Sequence, residues 1–182
     1  MSFSSENNAE LSADLPDTLK PDNPLWYFAL AFWRQPGVQE NCLILQHQGW
    51  SITRLLSAAW LALNNRLYTG TEDATLTEWR DRVTGSLRAV RQWLPKTNLD
   101  YQDLRDNLAT LELDAERIEL ALAWQMLTKN NPEDSTMQGR ETLIRHNLEA
   151  AAPFSGSATG AASQLNVLAD ILANFPKGAL RP

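Results

Sequence analysis

The spacing of apolar residues is the feature that most restricts the fold of this chain. Large apolar side chains recur every three or four residues through most of its length, and no stretch of useful length alternates between apolar and polar residues. Spacings of three and four place side chains on one face of an α-helix, whereas a half-buried strand requires alternation. The sequence therefore predicts an all-α protein.

Proline, glycine and short polar residues divide this pattern into helices. Asn23-Pro24 is typical of a helix start, and Pro36-Gly37 ends that helix. The pattern Thr75-Leu-Thr-Glu78 is a capping box that begins the fourth helix. The predicted helices cover about residues 24–35, 37–48, 51–67, 75–94, 98–130, 135–152 and 161–174. The sequence thus predicts a single-domain bundle of about six to seven helices.

Two predicted helices carry long apolar stripes that are expected to pack together. On the fourth helix the stripe comprises Leu76, Trp79, Val83, Leu87, Val90 and Leu94. On the fifth and longest helix the spacing alternates between four and three, as in the seam of a helical bundle, through Leu104, Leu108, Leu111, Ala115, Ile118 and Leu122. We therefore expect both stripes to be buried in the bundle.

The segments outside the bundle domain, residues 23–152, are short. Residues 1–22 contain five acidic residues against Lys20 alone, which predicts a flexible acidic arm, either a solubilising tail or a partner-binding arm. Residues 153–160 read as a linker, and residues 161–182 as a C-terminal amphipathic helix and tail. The stripe of this last helix can dock on the bundle or meet another chain, so a dimer through the C-terminal helix remains open.

Composition excludes several classes of protein. A formal net charge of −6 offers no general attraction to nucleic acid or to an anionic membrane. The single cysteine, Cys42, cannot form an internal disulfide. The longest apolar run, residues 25–33, is too short to cross a bilayer, and the first residues do not resemble a secretory signal. We expect a cytoplasmic protein that binds neither nucleic acid nor membrane.

Residues with catalytic or metal-binding chemistry do not converge in this sequence. Cys42 and His47 lie five residues apart on one predicted helix, about 140° apart around its axis, and His146 is on another helix. The glutamates of the fifth helix have no histidine three residues away, as a di-metal bundle requires. We therefore predict no catalytic residue, no metal and no cofactor, and the sequence favours a protein that is not an enzyme.

Three arginines of the fourth helix, Arg80, Arg88 and Arg91, fall on one strip beside its apolar stripe. Guanidinium groups in such a strip suit an anionic ligand that carries phosphate or carboxylate. The interpretation that we favour is structural, since an antiparallel fifth helix would bring its own acidic strip against these arginines. The expected partners on that strip are Glu112, Glu116 and Glu119.

The chain contains seven tryptophans, an unusual number for its length. Trp50 is expected in a turn and Trp93 lies close to a helix-ending proline, so both are expected to be partly exposed and are candidates for contact with a partner protein. A tryptophan-lined cavity for an apolar ligand is the alternative. Five others are expected in the core because they fall in or near apolar stripes, namely Trp26, Trp33, Trp60, Trp79 and Trp124.

The segments LWYFALAFWRQPGV at residues 25–38 and CLILQ at residues 42–46 carry a family resemblance. They resemble the pattern LWxFAxxxYxxPGVxxxCLxLQxxxGxDVNxLL of an uncharacterised proteobacterial family of small helical proteins. Later segments, WR, LRAVR and ELDAER, resemble further family segments, so that the resemblance covers about residues 24–128. It implies a helical cytoplasmic protein and no known reaction. Ser51 and Thr53 stand where the family pattern has aspartate and asparagine, and Trp33 replaces a tyrosine.

Taken together, the sequence favours a non-enzymatic cytoplasmic protein that acts by protein interaction, as an adaptor or an assembly factor with an unknown protein partner. The alternative is a small-molecule binding protein, for an anionic or an apolar ligand, or an enzyme of unrecognised type. The candidate binding residues are Arg80, Arg88, Arg91, Trp50 and Trp93.

Overall fold

The computed structural model describes residues 15–130, 134, 136, 139–153 and 160–176. In this part of the chain there are seven helices and a short 3-10 turn (Leu99–Tyr101), and the β-type pairing is limited to an isolated bridge between Arg66 and Asp134. The single-domain, all-α prediction is therefore confirmed. The helices are α1 (Pro24–Trp33), α2 (Val38–His47), α3 (Ile52–Leu63), α4 (residues 74–93), α5 (Gln102–Asn130), α6 (Arg140–Ala150) and α7 (Ala162–Ala173).

Short polar side chains begin several helices. Asn23 Oδ1 accepts a hydrogen bond from the backbone N–H of Trp26 at 3.0 Å and so caps α1 as predicted. The predicted capping box of α4 is wrong, because the cap is Asp73, whose Oδ1 accepts from the N–H of Leu76 at 2.9 Å. Helix α3 is shorter than predicted, since it ends at Leu63 and is followed by Asn65 in the left-handed conformation, with φ of 57°.

Helix α4 contains a π-helical turn that its sequence pattern does not reveal. Its three parts are Ala74–Trp79, the π turn Arg80–Thr84, and Gly85–Trp93. The N–H of Gly85 donates to the carbonyl of Arg80, one residue further back than in an α-helix. One extra residue rotates everything that follows by roughly 100°, the angle of one α-helical residue. The predicted continuous apolar stripe of α4 is therefore broken at the π turn.

The core is built around α3, which is buried along nearly its whole length and packs against α1, α5 and α6. On one side the rings of Phe28 and Phe32 stack at 5.4 Å between centroids, and Phe175 meets both edge-on. Helix α7 packs on α2 and α6, burying Leu165, Leu168 and Leu172. The apolar stripe of the C-terminal helix therefore docks on its own chain.

Parts of the predicted domain organisation lie outside the described residues. These are residues 1–14 of the acidic arm, residues 154–159 of the linker and residues 177–182 of the tail. The described end of the arm contacts the bundle, because Leu19 packs against the core and Asp22 forms an ion pair with Arg117 of α5.

The loop between α3 and α4 is held against α6 by a buried side chain. Asn147 of α6 accepts a hydrogen bond from the N–H of Tyr68 at 3.0 Å and donates to the carbonyls of Arg66 and Ala58. Gly70 of the same loop adopts φ of +75°, and a Cβ there would lie 2.8 Å from the carbonyl oxygen of Ala150. Only glycine fits this close approach.

Replacing Asn147 by leucine should destabilise the fold strongly. The substitution leaves the N–H of Tyr68 without its buried partner, and each buried polar group left unpaired costs about 1–3 kcal/mol. We expect the free energy of unfolding, measured by urea denaturation, to fall by at least about 2 kcal/mol. The control is His146→Ala at the exposed neighbour, which should change it by less than about 0.5 kcal/mol. Equal effects of the two substitutions would contradict the role of Asn147.

Candidate functional site

A cluster of paired charges joins α3, α4, α5 and the loop before α4. We call it the charge network, and its members are Arg54, Glu72, Arg80, Arg88, Arg91, Glu112, Glu116 and Glu119. The four arginines balance the four glutamates, so the network is neutral when every member is charged. Such pairing is what the burial of these groups requires, because an isolated buried charge is strongly unfavourable.

Arg80, at the start of the π turn, is the centre of the network. Its Nη1 and Nη2 donate to the two carboxylate oxygens of Glu72 at 2.6 and 2.8 Å, and its Nε donates to Glu119 at 2.7 Å. Burial lowers the pKa of Arg80, but the hydrogen bonds and charges of Glu72 and Glu119 outweigh burial and raise it above its ordinary value. Arg80 is therefore charged at neutral pH.

Two hydroxyl groups at the start of α3 lie beside Glu119. Thr53 donates to Oε1 of Glu119, and the hydroxyl oxygens of Thr53 and Ser51 are 2.9 Å apart. Ser51 also caps α3, accepting from the N–H of Arg54. Ser51 and Thr53 are two of the three positions at which the sequence departs from the pattern that it resembles, and both lie beside the network. A carboxylate that is 99% buried is thus bonded from both α3 and α4.

Arg88 and Arg91 connect the second half of α4 to α5. Arg88 donates to Glu112 at 2.7 Å and to Glu116 at 2.6 Å, and Arg91 donates from Nε to the other oxygen of Glu112 at 2.5 Å. Higher residue numbers on α4 thus meet lower ones on α5, so the two helices are antiparallel. The structural pairing favoured by the sequence is present, and Arg80 has Glu72 as a further partner.

The pKa of Glu116 is raised to about 7, chiefly because the carboxyl group is buried. Arg88 opposes this shift, while the neighbouring carboxylates of Glu112 and Glu119 add to it. A carboxyl group with this pKa gains or loses a proton near neutral pH. By contrast, burial raises the pKa of the Cys42 thiol to about 12, which makes it unreactive, and His47 is exposed at the end of its helix.

A cleft of about 480 Å³ lies beside the network, between α1, α2, α3, α4 and α5. Apolar side chains cover most of its wall, among them Trp26 and Trp33 of α1 and Leu43 of α2. Charged groups enter it from α4 and α5 only, as Arg91, Glu112 and Glu116. The volume and the mixed lining are those of a small-molecule site.

Exposed apolar residues lie on the outer side of the α4–α5 hairpin. On each helix the charged residues lie roughly 100° around the axis from the apolar stripe. Because the second half of α4 meets α5 through these charges, the two stripes are turned away from that contact there, and we call them the hairpin face. Val90, Leu104 and Leu111 are half exposed, so the predicted bundle seam is wrong here. The hairpin face comprises the exposed Val90, Leu104 and Leu111 and the partly buried Val83, Leu87 and Leu108.

The two tryptophans predicted to be partly exposed differ in the structure. Trp50 is only 4% exposed and packs in the core, so this expectation is wrong and Trp50 offers no surface for contact. Trp93 is 83% exposed at the end of α4, and Leu99 in the following turn is 86% exposed. Both lie at the tip of the α4–α5 hairpin.

Sequence reasoning missed Thr53, Arg54 and Glu72 as members of this region. Glu72 lies in a polar loop directly before a helix cap, where an exposed acidic residue is ordinary. The signal that could have found Arg54 is its position on α3, because an arginine among so many apolar residues needs a buried partner. In the structure Arg54 lies 3.6 Å from Glu72 and donates to the carbonyl of Gly70.

Two further features are absent from the described residues. They contain no group of three or more histidine, cysteine, aspartate or glutamate side chains placed to hold a metal ion. Among the described helices, none combines the length and the apolar character that crossing a membrane requires.

Removing the central arginine should destabilise the protein more than removing its exposed neighbour. Arg80→Met leaves Glu72 and Glu119 without their shared partner, and breaking a buried ion pair costs about 3–5 kcal/mol. The expected loss in the free energy of unfolding, measured by urea denaturation, is of that order. Arg82→Met, at an exposed position of the same π turn, should cost less than about 0.5 kcal/mol. A loss below about 1 kcal/mol for Arg80→Met would show that the network is not structural.

Glu116 should make the protein less stable as the pH rises towards 7. Its pKa is about 7 in the folded protein against an ordinary 4.5, so the folded chain keeps a proton that the unfolded chain releases between these values. The protonated carboxyl group therefore contributes its full stabilisation below pH 4.5, and this contribution is lost as the pH rises through about 7. We expect Glu116→Gln to gain stability relative to wild type between pH 5 and pH 8, measured by urea denaturation at about four pH values.

The matched control for this experiment is Glu149→Gln, at an exposed position of α6. Its difference from wild type should stay constant over the same pH range. Parallel pH profiles for wild type and Glu116→Gln would contradict the raised pKa. A carboxyl-carbon NMR titration of Glu116 gives an independent midpoint, expected near 7.

Comparison with known proteins places the chain in a family. The searches of curated proteins and of solved structures find no match. A family model described as "Protein of unknown function (DUF2390)" matches residues 24–123. The matched segment includes α1 to α4, the part of α5 that carries Glu112, Glu116 and Glu119, and hence every member of the charge network. Because the model covers more than half of the chain, the protein belongs to the DUF2390 family of proteins of unknown function.

Proposed function

We propose that the protein is a protein-interaction module that binds its partner through the hairpin face and the tip of the α4–α5 hairpin. The observation that carries this proposal is the concentration of exposed apolar side chains there. Trp93 and Leu99 are almost fully exposed, and Val90, Leu104 and Leu111 are half exposed. Contiguous exposed apolar patches on soluble proteins are typical of interaction sites.

The shape of the hairpin face suits a helix. Leu104, Leu108 and Leu111 follow the spacing of a bundle seam, and the stripe of α4 runs antiparallel beside them. Two antiparallel helices with aligned apolar stripes form half of a helical bundle, and an amphipathic helix completes such a surface by burying its own apolar residues. Tryptophan is among the residues that contribute most to binding at interfaces, which gives Trp93 at the tip a role as an anchor.

The charges beside the hairpin face favour a partner helix with basic flanks. Asp103 and Asp114 are exposed along the outer edge of α5, next to the face, and Asp100 is exposed at the tip. A second copy of this chain would bring its own net charge of −6. Electrostatic complementarity therefore supports a different protein over self-association.

Site-specific photo-crosslinking tests the proposed surface in cells that produce the protein. A photoreactive amino acid in place of Trp93 or Leu104 should give one discrete crosslinked product with a second protein. The control position is Val167 on α7, which is also partly exposed but lies outside the hairpin. Equal crosslinking from all three positions, or no product from either hairpin position, would overturn the proposal. A product with twice the mass of this chain would replace the different partner by a second copy.

Charged substitutions on the hairpin face provide a second readout in the same experiment. Val90→Lys combined with Leu111→Lys should reduce the crosslinked product at Trp93 by at least about tenfold, because burying one such side chain contributes about 1.5–3 kcal/mol. The melting temperature should remain within a few degrees of wild type, since both side chains are half exposed. Unchanged crosslinking in this double variant would exclude the hairpin face from binding.

A further inference from the structure

The cleft between α1, α2, α3, α4 and α5 is lined by none of the residues of the hairpin face, so a ligand can bind there whether or not a partner binds that face. Its lining divides into two parts. Helices α1 to α3 contribute apolar side chains, two glutamines and Thr53, whereas α4 and α5 contribute Arg91, Glu112 and Glu116. An occupant therefore meets an apolar wall on one side and charged groups on the other.

Arg91 has hydrogen-bonding capacity left for an occupant. Its Nε donates to Glu112, which fixes the guanidinium plane, but within the described part of the chain its two terminal nitrogens make no hydrogen bond. Glu112 has both oxygens bonded, to Arg88 and Arg91, so it does not compete for a new partner. The terminal nitrogens of a guanidinium form the fork that binds a carboxylate through two parallel hydrogen bonds.

We propose that this cleft binds a small amphiphilic carboxylate, whose apolar body lies against Trp26 and Trp33 and whose carboxylate pairs with Arg91. A cleft of about 480 Å³ is large enough for a molecule with a chain of about ten carbons or with one or two rings. The exposed edges of Leu43 and Leu113 at the rim are then covered by the occupant. Burial of these side chains supplies the apolar part of the affinity.

Arg91 favours a carboxylate over an ammonium group at this position, and Glu116 makes binding depend on pH. The carboxyl group of Glu116 donates a hydrogen bond when it is protonated and only accepts when it is ionised. A bound anion nearby stabilises the protonated form, and this form can donate a hydrogen bond to the ligand. The charged groups that face Glu116 are Arg88 and Arg91 from α4, and Glu112 and Glu119 on α5. The lining residues from α1, α2 and α3 include no titratable group. Anion binding is therefore expected to be accompanied by uptake of a proton.

Isothermal titration calorimetry with decanoate tests the proposal, with decanol and decylammonium as neutral and cationic analogues of the same chain length. We expect decanoate to bind more tightly than either analogue and to change the tryptophan fluorescence. Affinity should fall as the pH rises above 7, approaching about tenfold per unit where one proton is taken up. Glu116→Gln should bind decanoate without this pH dependence.

Three variants separate the site from nonspecific binding. Arg91→Gln should weaken decanoate binding at least tenfold and leave decanol binding unchanged, while Arg82→Gln, an exposed arginine of the same helix outside the cleft, should leave both unchanged. Ala109→Trp, on the exposed wall of the cleft, should abolish binding of both by filling it, with the fold verified by its melting temperature. The proposal is overturned if decanoate does not bind, if decylammonium binds more tightly, or if Arg82→Gln and Arg91→Gln weaken binding equally.

Discussion

The ion triad formed by Glu72, Arg80 and Glu119 is the interaction on which the arrangement of this molecule depends. It joins the loop before α4, the π turn of α4 and the middle of α5 in one place, and Glu119 is bonded from α3 as well. A buried triad is not a large source of stability, because desolvation of the charges opposes their attraction. Its effect is to specify position, since any other register of α4 on α5 would leave a buried charge without a partner.

The π turn gives the α4–α5 hairpin its two different sides. Without the extra residue, Leu87 and Val90 would continue the stripe of Leu76 against α5, and the hairpin would close as an ordinary apolar pair of helices. With it, Arg88 and Arg91 turn towards α5 and the apolar stripe turns towards solvent. Insertions of this kind in α-helices occur frequently at functional sites. The two helices thus meet through charged side chains, and their apolar residues remain exposed to solvent.

Apolar periodicity and helix caps were sufficient to predict the fold class and the approximate position of each helix. They also predicted that the arginine strip of α4 meets the acidic strip of α5, because the two strips lie beside the apolar stripes of antiparallel helices. What they could not predict depends on a single extra residue in a helical turn and on long-range contacts. The π turn changes which residues face α5, and Glu72 and Thr53 reach the network only because distant segments converge.

The difference between local sequence pattern and long-range packing also explains why Trp50 and Trp93, which were both predicted to be partly exposed, differ in the structure. Trp50 follows Gly49, a left-handed glycine in a turn. The ring of Trp50 nevertheless packs in the core, through contacts that the local sequence does not predict. Trp93 ends a helix whose second half buries no residue, so its exposure follows from the rotation at the π turn. Exposure of an aromatic residue is thus a property of the helix packing. In this chain the packing that exposes Trp93 also directs Arg91 into the cleft, so one turn of helix determines both the hairpin tip and the charged wall of the cleft.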